Sequence, residues 1–345
     1  MAMYISSRPV RAALLLLSLG LGACETTLDL PEPKHTPRIA LQFELSNYDF
    51  DFQPPNSNDE LARLRRLYVS NSQRVFDLNE LKGRRDATVV ITDDKGAVVE
   101  SFEALQSTSP YYDSEQGYYR QTKRLKGEPG RTYTLRASLP GFETVESTLT
   151  MPKAAVIESA TFTKNQSKSS PNDVRGKLSV TVADDPGAAN YYVAFARVVD
   201  KDYKLTTGWA EVQVDQDNNG DIVTPEVGQF QLSSLSAISG GGYGTYGFYP
   251  YADTNVNGKR FSLNADVRYY PGGCSYSGVC NEAAYMEVFV SSLTREAYNF
   301  HLSRQRYNNT DGNPFAEPAP LASNIPNGYG LFGGVTDAVY RIKLQ

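Results

Sequence analysis

The feature that most restricts this chain is its rhythm: short runs of β-branched and aromatic residues alternating with polar ones, each cut off by a turn signal. Ala87–Thr92 and Ala97–Phe102 flank Asp93-Asp94-Lys95-Gly96, the pattern of a hairpin. Within Thr132–Leu139, the residues Tyr133, Leu135, Ala137 and Leu139 share one face at period two, and Pro140-Gly141 then turns the chain into Phe142–Thr150. Similar runs fall at Arg38–Ser46, Tyr118–Leu125, Ile157–Phe162, Lys177–Val182, Tyr191–Val199, Trp209–Val214, Phe261–Val267, Tyr285–Leu293 and Ala338–Leu344. Strands this short need a second layer to cover their apolar faces. The pattern therefore predicts a mainly β protein of two β-sandwich domains, immunoglobulin-like or Greek-key in type. Met151-Pro152-Lys153 reads as the junction, giving an N-terminal domain of residues 38–152 and a C-terminal β-rich domain of residues 153–345. One short helix, of surface type, is expected at Thr294–Arg304, where Ala297 and His301, and Tyr298 and Leu302, stand four apart.

The first residues carry a different signal. Arg8 and Arg11 lead into an apolar run, Ala12–Leu21, that ends in Leu21-Gly22-Ala23-Cys24. A run of about ten residues suits a signal-peptide core and is far short of the roughly 20 needed to span a bilayer. Small residues before a cysteine resemble the lipobox of bacterial lipoproteins, in which the thiol of Cys24 is acylated and residues 1–23 are removed. Residues 24–37, acidic and Pro-containing, then read as a tether. One acyl chain anchors only marginally, so the several chains of a lipoprotein are what make such an attachment lasting. Cleavage also removes Arg8 and Arg11 and no acid, taking the net charge from −5 to −7. That balance argues against nucleic acid and against a polybasic membrane face.

Acylation of Cys24 leaves Cys274 and Cys280, in Gly-Gly-Cys-Ser-Tyr-Ser-Gly-Val-Cys. In an oxidising envelope compartment such a pair is expected to form a disulfide rather than remain as two thiols. Zinc is disfavoured, because the only histidines, His35 and His301, form no ligand spacing with them.

Several phrases of the second half occur in a recognisable order: Asp185-Pro186 before Asn190-Tyr191-Tyr192, Asn257-Gly258-Lys259 before a strand, and Glu296 with Tyr298 on a helix. Pro314-Phe315, Glu317-Pro318, Ser323-Asn324-Ile325 and Asn327-Gly328, with Gly330, Phe332, Gly333 and Gly334, follow. Together with Cys24 leading into Leu28-Asp29-Leu30-Pro31, they resemble the Bacteroidota outer-membrane lipoproteins built on domain of unknown function 4249. Genes of that family often sit beside those of TonB-dependent receptors. The resemblance implies an outer-membrane, cell-surface location and a TonB-dependent receptor as partner, and it brings no catalytic residue with it. Taken by themselves, the glycines at 328, 330, 333 and 334 indicate tight turns or close backbone approach.

Two loops are candidates for binding. Asp215, Asp217, Asn219, Gly220, Asp221 and Glu226 fit the twelve-position calcium loop, in which alternating oxygen ligands converge on a hard cation. The flanks read as strands rather than helices, and Asn219-Gly220 is equally the signal of a polar hairpin turn. Calcium and a plain turn thus both stand. The second loop, Ser239–Tyr251, carries Tyr243, Tyr246, Phe248, Tyr249 and Tyr251 on a Gly-rich backbone. These rings suit either a contact surface or packing over a sandwich edge.

Enzyme signatures are lacking: there is no Gly-x-Ser-x-Gly elbow, no phosphate loop, and no Gly-x-Gly-x-x-Gly opening a helix after a strand. The sequence thus favours a non-catalytic accessory lipoprotein, a substrate-capturing or lid partner of a TonB-dependent transporter. A structural or adhesive surface module, calcium-stabilised or not, is the second reading, and a surface hydrolase the third.

Overall fold

A computed structural model describes residues 34–48, 60–74, 77, 79, 81–106, 115–206, 210–215, 229–234, 248–274, 280–310 and 320–344. Cys24, the tether up to residue 33 and the Pro314–Pro318 phrase lie outside them. Residues 36–73 and 79–345 form one compact unit.

In chain order the elements are β1 (Ile39–Ser46), α1 (Glu60–Leu64), β2 (Leu67–Asn71), β3 (Thr88–Asp93), β4 (Val98–Ala104), β5 (Tyr118–Gln121), β6 (Thr132–Ser138), β7 (Val145–Thr150), β8 (Val156–Lys164), β9 (Val174–Ala183) and β10 (Tyr191–Val199). There follow β11 (Gln213–Val214), β12 (Tyr251–Ala252), a 3-10 turn at Asp253–Asn255, β13 (Arg260–Tyr269), β14 (Gly272–Cys274), β15 (Cys280–Glu282), β16 (Tyr285–Leu293), α2 (Arg295–Thr310) and β17 (Tyr329–Lys343). The mainly β expectation holds, with two α-helices among the described residues where one was expected.

An eleven-stranded sheet runs β12-β10-β16-β17-β1-β2-β5-β4-β3-β6-β7, and a four-stranded sheet runs β11-β13-β9-β8. Period two explains the layering. Leu178, Val180, Val182, Leu263 and Val267 of the smaller sheet form one core with Ala194, Ala196, Val198, Met286, Val288 and Val290 of the larger one. That is a sandwich. At its other end the large sheet folds back on itself, so that Leu41, Phe43, Leu67 and Val69 share a core with Val89, Ile91, Tyr133, Leu135 and Val145. The opposite face of β10, β16 and β17 is covered by α1 and α2, with Leu61, Phe195, Phe289, Leu293, Ala297, Phe300 and Val335 between them.

The expected junction at Met151–Lys153 falls between β7 and β8, and the two larger cores divide there. The large sheet nevertheless crosses it. β1 pairs in parallel with β17, from Ala40 opposite Tyr329 to Ser46 opposite Val335, and Ile325 and Phe332 are buried in the N-terminal core.

The last strand is longer than its sequence suggests, because three of the glycines read as turns or close approaches, Gly330, Gly333 and Gly334, lie inside it, with Gly328 in the turn just before. Gly330 sits at φ +108°, where a Cβ would come within 1.8 Å of the Leu41 carbonyl oxygen. Its reading as a close backbone approach is the one the structure bears out. Gly333 gives α2 its seat, since a Cβ there would stand 3.0 Å from that of Ala297. The run at Trp209–Val214 reduces to β11, with Trp209 outside the described residues.

Candidate functional site

The polar face of β1 is where the sequence is most easily misread. Ile39, Leu41, Phe43 and Leu45 point into the N-terminal core, which leaves Gln42, Glu44 and Ser46 on the other face. At Glu44 and Ser46 that face is buried, whereas Gln42 is half-buried. Glu44 is 1% exposed, Arg65 2%, His301 4% and Asp337 6%. Buried charges persist only when paired, and here each has an opposite charge beside it, with the buried Arg65 Nε the one guanidinium nitrogen that finds no partner.

Arg65, just past α1, donates from Nη1 to Glu44 Oε2 at 2.7 Å and reaches Asp337 Oδ1 from Nη2 at 3.5 Å. His301 Nε2 lies 2.8 Å from Glu44 Oε1. An ionised carboxylate can only accept, so Nε2 carries the proton. Asp337 on β17 also receives the hydroxyls of Ser46, at 2.6 Å, and of Ser291. Its backbone N–H donates to Asn47 Oδ1 at 2.6 Å, while Asn47 Nδ2 donates to its carbonyl at 3.2 Å. A second ionic row lies farther along the same face, where Glu287 receives Arg197 at 2.9 Å and Arg341 at 2.8 Å.

α2 brings His301 here by ordinary helix geometry. Thr294 caps its first turn, accepting the Ala297 N–H at 3.3 Å, and Ala297, His301 and Arg304 then recur on one side at i, i+4 and i+7. The expectation of a surface helix is thereby corrected. His301 is walled by Phe248 at 4.4 Å and Phe300 at 5.7 Å between ring centroids. Burial lowers the Arg304 pKa, against the pull of nearby Glu44.

A carboxylate orienting a histidine is half of a nucleophile-activating arrangement. The other half is missing: among the described residues no hydroxyl or thiol is hydrogen-bonded to His301. The geometry is that of a structural lock joining β1, α1, α2 and β17.

Its electrostatics predict an acid response. Burial pushes the Glu44 carboxyl up, but the charges and hydrogen bonds of Arg65 and His301 outweigh that and hold it at about 2, against an ordinary 4.5. Because the folded value is the lower one, the stabilisation is complete above pH 4.5 and drains away as pH falls toward 2. At 1.36 kcal/mol per unit this is on the order of 3 kcal/mol. Urea midpoints measured from pH 5 to pH 2 should fall more steeply for the wild type than for Glu44→Gln. Parallel profiles would contradict the assignment.

The loops singled out in the sequence behave differently. Asp215 is tied to Arg175, with Nη1–Oδ1 3.0 Å, and Asp217, Asn219, Asp221 and Glu226 lie outside the described residues. Tyr243 and Tyr246 also lie outside them. Phe248 is buried against Phe195 and His301, Tyr251 is buried against Phe230 and Phe261, and Tyr249 is half-buried with its hydroxyl pKa raised by burial. In the small β14–β15 hairpin, Cys274 pairs in register with Cys280. The Ala283 N–H bonds the Pro271 carbonyl, so by antiparallel alternation Cys274 and Cys280 stand opposite each other as a non-hydrogen-bonded backbone pair.

Sequence reasoning reached neither Arg65 nor Asp337 as site residues. The one available signal was that of two acids, Glu44 and Asp337, set in strands bounded by apolar neighbours. No curated protein sequence matches the chain. Residues 62–341, well over half of its length, match one family. That span takes in α2, β2 to β16 and most of α1 and β17, and by it the chain belongs to the family described as a domain of unknown function (DUF4249).

Proposed function

We propose that this protein is a non-catalytic, lipid-anchored accessory protein of an outer membrane, working beside a TonB-dependent transporter as a substrate-capturing or lid component. The observation that carries the reading is Leu21-Gly22-Ala23-Cys24 placed directly after the apolar run Ala12–Leu21. No helix among the described residues is long and apolar enough to cross a membrane, so acylation of Cys24 would supply the hold. The sealing of Glu44, Arg65 and His301 beneath α2 favours a scaffold over a hydrolase. The transporter partnership rests on the resemblance to Bacteroidota lipoproteins.

The test is fractionation and co-purification. Wild type should partition with membranes and bring down a large barrel receptor from detergent extracts, whereas Cys24→Ser should be released, or retained at precursor size. A Cys24→Ser protein that matures normally and stays membrane-bound overturns the anchor, and a solitary wild-type monomer overturns the partnership. The second reading, a structural or adhesive module stiffened by calcium, draws on the Asp215–Glu226 spacing. Absence of heat on titration with millimolar Ca²⁺ removes it.

A further inference from the structure

On the smaller sheet the sign of the protein's charge is reversed. A groove of about 820 Å³ is lined along the β8–β9 turn by Lys164, Lys168, Arg175 and Lys177, with Asp215 and Asp266 as its acids. Among the described residues its lining is therefore net positive, on a chain whose formal charge is −5. Arg175 is held between Asp173, at 2.8 Å, and Asp215, at 3.0 Å, which uses up Asp215. None of the three lysines is in an ion pair with a described residue. Lys177 stands in register with Thr163 on β8 and Asp266 on β13, on the outward face of the sheet.

The turn that presents these lysines is stiff. Asn165 Oδ1 accepts the Ser167 N–H at 3.2 Å, the Ser167 hydroxyl at 2.9 Å and the Lys168 N–H at 3.3 Å. The Ser169 hydroxyl donates to the Asn165 carbonyl at 2.7 Å and accepts the Arg175 N–H at 3.0 Å. The turn backbone therefore has little ordering entropy left to lose when a ligand arrives, and the cost of ordering falls on the lysine side chains. The rest of the described lining is Gly176 with hydroxyl and amide side chains, from Thr163, Asn165, Gln166 and Ser167, and no aromatic ring is among these residues for a nucleobase to stack on.

We propose that this groove binds an acidic polysaccharide, its sulfate or carboxylate groups meeting Lys164, Lys168 and Lys177 and its hydroxyls the amide and hydroxyl lining. Neither the lipid anchor nor the transporter enters into this.

The experiment is calorimetric titration of the soluble mature chain at low salt with dextran sulfate, polygalacturonate, neutral dextran and a single-stranded oligonucleotide. A variant carrying Lys164→Glu, Lys168→Glu and Lys177→Glu is compared with one of equal charge change placed elsewhere, Lys82→Glu, Lys95→Glu and Lys201→Glu. All six lysines are exposed, and matching thermal melts would show that both variants fold. Expected are binding of at least one acidic polysaccharide but not neutral dextran, affinity that falls as salt screens the charges, and a loss of at least tenfold in the groove variant alone. Sulfated against carboxylated polymer identifies which anion is preferred. No heat with either acidic polymer, equal loss in both variants, or tighter binding of the oligonucleotide overturns the proposal.

Discussion

Replacing Arg65 with methionine is expected to lower the unfolding free energy by about 3–5 kcal/mol, the range for removing one partner of a buried ion pair. Methionine keeps much of the side chain's length and apolar bulk, so the loss is chiefly electrostatic. Glu44 would keep His301, but the Asp337 carboxylate would keep only the hydroxyls of Ser46 and Ser291, on a residue that is 6% exposed. Chemical denaturation monitored by intrinsic fluorescence reads the change. Arg120→Met is the control, since the Arg120–Glu103 pair is solvent-exposed at 62% and 58% and such pairs contribute no more than about 1 kcal/mol. Adding Glu44→Gln to Arg65→Met should restore part of the loss, because the two side chains are in contact and their effects do not add. An Arg65→Met protein within about 1 kcal/mol of wild type would show that the cluster does not hold these elements together.

Gly330→Ala is expected to destabilise by at least about 3 kcal/mol, combining a strained φ with a clash that has no room to relax. The backbone is at φ +108° and the new methyl would meet the Leu41 carbonyl, which is main chain and moves only if β1 moves. Gly96→Ala separates the two contributions. That glycine is also at positive φ, +79°, but nothing lies within 4 Å of its would-be Cβ, so the cost should stay near 1–2 kcal/mol. Equal thermal shifts for the two variants would mean that the β1–β17 approach is looser than described.

Where one periodicity ran unbroken, the sequence was a good guide. The Asp93–Gly96 hairpin, the face shared by Tyr133, Leu135 and Ala137, and the buried strands Tyr191–Val199 and Tyr285–Leu293 all lie where their patterns put them. The errors arose where tertiary contacts overrode local signals. β17 begins amid Gly330, Gly333 and Gly334, residues that weaken a strand locally but that close packing against β1 and α2 demands. α1 and β2 occupy Glu60–Asn71, with too short a helix to show a period. The lock around Glu44 stayed hidden because an alternating strand with polar residues on one face normally turns that face to water. Only the return of β17 and α2, residues distant in sequence, makes it an interior. The same distance concealed His301, whose helical spacing was visible but whose partner lies 257 residues away.

β1 is bordered on one side by β2 and on the other by β17, which places Tyr329 opposite Ala40. A ribosome therefore delivers the N-terminal core almost complete, yet without Ile325 and Phe332 and with one edge of its first strand bare. A fragment ending near Lys153 would carry that open edge as a site for self-association rather than folding as an independent domain. The N-terminal core is therefore completed only once β17 has been made and has paired with β1.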